Sequence, residues 1–136
     1  MASIDPHELE IALRVLDAAS ALDPEDPAYI ALRRQTGKLY KDVKRQSRKE
    51  KRQRIADADK AVVAATATGA ADRIDDETRG IPLATRVETP YAGELIKPRN
   101  CYICKELYTL VDAFYHQLCP DCAAMSHAKR DARTDL

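Results

Sequence analysis

The chain has 136 residues, of which 32% are charged, 5% aromatic and none tryptophan, so there is little material for one large core and separate pieces are expected. No apolar run approaches the ~18 residues of a membrane-spanning helix, and no transmembrane segment is expected. The formal net charge of zero hides a segregation: residues 1–32 carry seven acids and one base, and residues 33–54 carry eleven bases and two acids.

The first element is a helix. Asp5 suits its cap, Pro6 its first helical position, and Glu8 falls three residues after the cap, a capping-box-like start. Leu9, Ala12, Leu13 and Leu16 form one apolar stripe, with Ile11, Val15, Ala18 and Leu22 beside it. The run Asp23-Pro24-Glu25-Asp26-Pro27 breaks this helix, and Asp26-Pro27 repeats the start signal. A second, longer helix follows, in which Tyr29, Leu32, Thr36, Leu39 and Val43 keep 3,4 spacing, a seam able to pack on the first helix as an antiparallel hairpin. One hairpin cannot bury so broad an apolar surface. Self-association or docking on a protein partner is therefore expected through Leu13, Leu16, Leu32 and Leu39.

From Lys44 to Arg54 the run KRQSRKEKRQR has no apolar residue, but also no glycine or proline to stop a helix. A phase-shifted stripe, Ile55, Ala58, Val62 and Ala65, follows before Gly69. If continuous from Pro27 to Thr68, the helix would be about 60 Å long. The seven cations among the eleven residues 44–54 suit a nucleic-acid backbone or an anionic membrane surface. They equally suit a solvated segment bridging two packed regions, with the acidic first helix of the same or another chain as counter-charge. The absence of interleaved aromatics favours the solvated segment.

Residues 69–97 read as a linker. Asp72 to Glu77 is acidic, Gly80, Pro82, Pro90, Gly93 and, at its end, Pro98 punctuate the stretch, and no regular element is assigned to it.

The last stretch holds all four cysteines, as Cys101-Tyr102-Ile103-Cys104, fourteen intervening residues, and Cys119-Pro120-Asp121-Cys122. Two CxxC pairs at this separation suit a tetrahedral thiolate zinc site, with each pair clamping one edge. Four thiolates would close the coordination shell, so the site is expected to be structural. A disulfide pair, an iron–sulfur cluster and a redox dithiol are the alternatives. With no signal peptide in view and few cysteines, a cytoplasmic setting is expected over an oxidising one. Leu107–Val111 and Phe114–Leu118 read as two short strands around a turn at Asp112-Ala113, and the residues after Cys122 as a helix whose first turn holds the last ligand. His116 and His127 lie nearby but are not needed as ligands, whereas Lys105, Lys129 and Arg130 can offset the negative charge of the cluster. The expected fold is α+β: a helical arm over residues 1–68, the linker at 69–97, and a treble-clef-like zinc module at 98–136.

The runs Asn100-Cys101-Tyr102-Ile103-Cys104-Lys105 and Leu118-Cys119-Pro120-Asp121-Cys122-Ala123, the Phe114-Tyr115 pair, and the exit Ala128-Lys129-Arg130 to Thr134-Asp135-Leu136 resemble a known segment. It is the cysteine-rich stretch that precedes the catalytic domain in a subgroup of short-chain dehydrogenase/reductase proteins. The resemblance covers about residues 98–136 and implies a module that accompanies an NAD(P)-dependent oxidoreductase domain, fused or as a separate chain. The four glycines are scattered singly, so no glycine-rich nucleotide loop is present in these residues. Tyr40 and Lys44 match the Tyr-x-x-x-Lys spacing of that family's catalytic pair, but they sit in a basic helix without a pocket. The chain is expected not to be catalytic on its own.

Overall fold

The structure, a computed structural model, describes residues 2–74 and 76–136, so Asp75, in the acidic part of the expected linker, lies outside the described residues. The elements are α1 (Pro6–Ala19), α2 (Pro27–Ala65), a single 3-10 turn at Glu77–Arg79, β1 (Tyr91–Asn100), β2 (Leu107–Asp112) and α3 (Pro120–Arg130). The fold is mixed, helices with one small antiparallel sheet, and the chain divides into two compact units, Met1–Glu50 and Lys51–Leu136.

In the first unit the local signals act as read. The Asp5 carboxylate accepts from the N–H groups of His7 at 2.8 Å and Glu8 at 3.2 Å, with Pro6 opening α1. Asp26 accepts from the Ala28 N–H at 2.7 Å, so α2 begins by the same device. Packing is sparse. Ala19 is the one buried hydrophobic residue of this unit among the described residues. Leu16 and Ala19 face Tyr29, Leu32 and Thr36 across a cleft of about 280 Å³, while Leu9, Leu13, Leu39 and Val43 stay exposed.

α2 is unbroken through the basic run and, at 39 residues, extends about 58 Å. It stops at Ala65, short of the expected Thr68, because the next amides find other partners. The N–H of Ala67 donates to the Ala113 carbonyl and that of Thr68 to the Phe114 carbonyl, both at 3.1 Å. The expected stripe also rotates: Ala58 is exposed, whereas Asp59 is buried and Val62 and Val63 pack on the core.

The hairpin differs from the expected one. β2 pairs antiparallel with β1, upstream of it, in register Tyr91↔Asp112, Gly93↔Val111, Glu94↔Leu110, Arg99↔Tyr108 and Asn100↔Leu107. Residues 114–118, expected as a strand, run as a loop. The cause is Asp112, whose carboxylate accepts the N–H groups of Phe114 and Tyr115, both at 2.9 Å, and turns the chain out of the sheet. Most of β1 falls within the expected linker. Its register is irregular between Glu94 and Arg99, where Pro98 costs no ladder hydrogen bond, and the Ile96 and Lys97 amides turn to Asp59 of α2 at 2.7 and 3.1 Å. Gly93, at φ 152°, lets β1 approach α2 closely, since a Cβ there would meet Val62 Cγ2 at 3.1 Å.

The core of the second unit gathers Leu95, Tyr108, Val111, Leu118 and Ala123 around Cys101 and Cys119, with Val62 and Val63 packed against it. Among the described residues, no buried side-chain polar atom lacks a hydrogen-bond partner.

Candidate metal centre

Two backbone devices present the four cysteines. Cys101 follows β1 directly, and its N–H donates to the Glu106 carbonyl at 2.8 Å while the Lys105 N–H donates to its carbonyl at 3.1 Å. The chain reverses through Lys105 at φ 65°, which holds Cys104 beside Cys101 at the tip of the hairpin. The second pair sits on α3. Cys119 is the N-cap, Pro120 the first helical residue, and the Cys122 N–H donates to Cys119 Sγ at 3.5 Å. Cys122 thus occupies the first turn, as expected. A backbone bond from the Tyr102 N–H to the Gln117 carbonyl, at 2.9 Å, ties the two pairs together.

The four Sγ atoms all lie within 4.8 Å of one another, and Cys104 Sγ is 3.7 Å from Cys119 Sγ. A tetrahedral ion with ~2.3 Å bonds to sulfur needs edges of about 3.8 Å, so the donor set fits a metal ion. All four cysteines are free thiols. Cys101 and Cys119 are buried, Cys122 is half-buried and Cys104 exposed, so the cluster belongs to the core on one side and meets solvent on the other.

The thiols do not ionise alike. Burial alone would raise the Cys101 pKa, but backbone donors from Cys119, Cys104 and Ile103 outweigh it and bring it down to about 6. Cys122 is pushed up to about 12 by its neighbour Cys119, by burial, and by the Cys101 and Cys104 thiols. At Cys104 the Glu106 backbone lowers the pKa, yet burial and the neighbouring Cys101 and Cys119 thiols leave it raised. One negative charge is thus favourable in the cluster and further ones resist. A divalent cation removes that resistance by displacing the protons.

The surrounding side chains are placed to hold the scaffold. His116 Nδ1 lies 2.7 Å from Thr68 Oγ1, and His127 Nε2 lies 2.9 Å from an Asp112 oxygen, so both histidines stay outside the cysteine group. Tyr108 donates its hydroxyl to the His116 carbonyl at 2.6 Å, and burial raises its pKa. Lys105 Nζ reaches the Tyr102 carbonyl at 2.5 Å, on the cysteine knuckle. Arg130 instead stacks on Phe114, 4.2 Å from the ring centre. Asp59 and Thr68 position this unit and were not singled out from the sequence, and Asp112, read there only as part of a turn, also holds His127. Asp59 had one signal: it lies four residues after Ile55 and three before Val62, a lone acid on an otherwise apolar face.

Tyr40 and Lys44 lie together on the open side of α2, with Nζ 5.8 Å from the ring centre and Tyr40 exposed. Among the described residues, no helix is long and apolar enough to cross a membrane. No protein-family model, curated protein or solved structure matches this chain.

Proposed function

We propose that residues 98–136 are a structural zinc module, treble-clef-like in having a knuckle, a strand and a helix whose first turn carries the last ligand. Cys101, Cys104, Cys119 and Cys122 hold the ion. When bound, zinc supplies a cross-link between the hairpin tip and α3, and four thiolates leave no open position for substrate. The observation that carries this reading is the convergence of four free sulfurs from two distant CxxC pairs within 4.8 Å. The chain as a whole is then an assembly module, with the zinc unit as a cross-linked piece and the helical arm as the surface for a protein partner or for self-association. Sparse burial in that arm supports the assembly role. On the resemblance of residues 98–136, the module accompanies a short-chain dehydrogenase/reductase-type oxidoreductase in the cytoplasm, as its N-terminal region or as a separate chain.

A second reading, nucleic-acid binding through 44–54, has one observation in its favour: every residue from Lys44 to Arg54 is exposed. Affinity for generic DNA or RNA that falls steeply with salt would favour it over the assembly role.

The zinc reading is tested by replacing one ligand from each pair. Cys101→Ser and Cys122→Ser are each expected to lose the metal and unfold residues 98–136 while helical circular dichroism from α1 and α2 persists. Retention of both metal and fold in either variant would overturn it.

A further inference from the structure

The α2 seam is covered at one end only. Tyr29 and Leu32 are half-buried where α1 meets them, yet farther along the same seam Leu39 is 63% and Val43 60% exposed. α1 itself leaves Leu9, Leu13 and Val15 about half exposed. One unit therefore carries two uncovered apolar strips. Their charges are opposite. α1 bears Glu8, Glu10 and Asp17 against a single Arg14, whereas Lys38, Lys41 and Lys44 lie along α2 beside its bare stretch against a single Asp42, which pairs with Arg45 at 3.5 Å. Residues 1–50 hold nine acids and nine bases in all, so the unit is neutral as a whole and strongly polar between its helices.

We infer that the helical arm pairs with a second copy of itself, the acidic α1 of each copy lying along the bare, basic-flanked stretch of α2 of the other. This rests on the assembly role proposed above and names its partner. A two-fold arrangement repeats the acid-on-base contact twice and covers both apolar strips at once. A polyanion would satisfy only the basic stretch. It would repel α1 and leave Leu9 and Leu13 in water, so it explains half of the surface. A second copy explains all of it.

Sedimentation equilibrium of the full chain tests this. The wild type is expected to be a dimer at micromolar concentration, and raising salt from about 0.05 M to about 0.5 M should weaken it roughly tenfold or more. Glu10→Lys with Asp17→Lys on α1, or Lys38→Glu with Lys41→Glu on α2, should each give monomers. A mixture of the two variants should form a heterodimer, because the reversed charges again oppose each other. Helical circular dichroism verifies that each variant folds, and the salt series on the wild type gives an answer if one does not. A wild type that stays monomeric up to ~100 μM, well above ordinary dimer affinities, would overturn the inference. So would a dimer indifferent to salt and to both reversals. Metal content measured on the same samples keeps the readings apart: a zinc-loaded monomer removes the self-pairing alone, and a zinc-free dimer removes the zinc reading alone.

Discussion

The two units divide the work of folding differently. In Met1–Glu50 the order is local: caps at Asp5 and Asp26 start helices, an uninterrupted backbone ladder continues them, and Ala19 is the only hydrophobic residue buried among those described. In Lys51–Leu136 the order is non-local. Val111, Cys101 and Ala123 are wholly buried, and Asp59 with Ile96, Thr68 with Phe114 and Asp112 with His127 tie segments far apart in sequence. A helix can be specified without a core, but it then presents its apolar side outward and needs something to cover it. The second unit is small as well, and it places two of its four candidate metal ligands, Cys101 and Cys119, in its core, where one ion can link hairpin and helix.

The contrast is sharpest for paired truncations. Val111→Ala removes two methyl groups from a fully buried site and should cost the second unit about 2 kcal/mol in denaturant unfolding. Leu13→Ala, at a half-exposed site, should change the stability of the dilute chain by less than about 0.5 kcal/mol. Equal losses would mean that the first unit has a core of its own.

A smaller effect belongs to the tie between α2 and β1. Asp59→Ala leaves the Ile96 and Lys97 amides without their acceptor and should cost about 1–2 kcal/mol, reduced somewhat by the better helix propensity of alanine. Hydrogen exchange should speed up first at those two amides. If they exchange as before, the carboxylate is not what anchors the strand.

The smallest effect is in pH. Burial, with Arg99 and Arg73 in support, lowers the His116 pKa, so folding favours the neutral ring. Its contribution to stability is complete above the unfolded value of about 6.5 and is lost as pH falls through that value toward the lower folded one. His116→Gln should flatten the pH dependence of unfolding in that window. An unchanged profile would assign the dependence to other groups.

What was legible in the sequence follows the same division. The caps at Asp5-Pro6 and Asp26-Pro27 were readable because a cap acts within four residues, and the two CxxC pairs because ligand spacing is itself a chemical pattern. β1 was not. Gly93 and Pro98 read as breakers, yet the glycine serves a close approach to Val62 and the proline falls where the ladder register lapses. Residues 114–118 have strand-like composition, but two amides captured by Asp112 decide against a strand. Asp59, an acid on an otherwise apolar face, finds its partners only in the Ile96 and Lys97 amides of β1. The outcomes at Gly93 and Asp59 depend on partners distant in sequence, which periodicity cannot see, whereas the Asp112 turn acts within three residues and overrides the strand-like composition after it.

The most direct test is elemental analysis of the purified chain alongside its visible spectrum, followed by chelation at two pH values. The account predicts about one zinc per chain and no visible absorption. It also predicts tighter zinc retention at the higher pH, because the protons held by Cys104 and by Cys122, at about 12, must leave for the metal to bind. A chain free of zinc, or one with the absorption band of an iron–sulfur cluster, would contradict it.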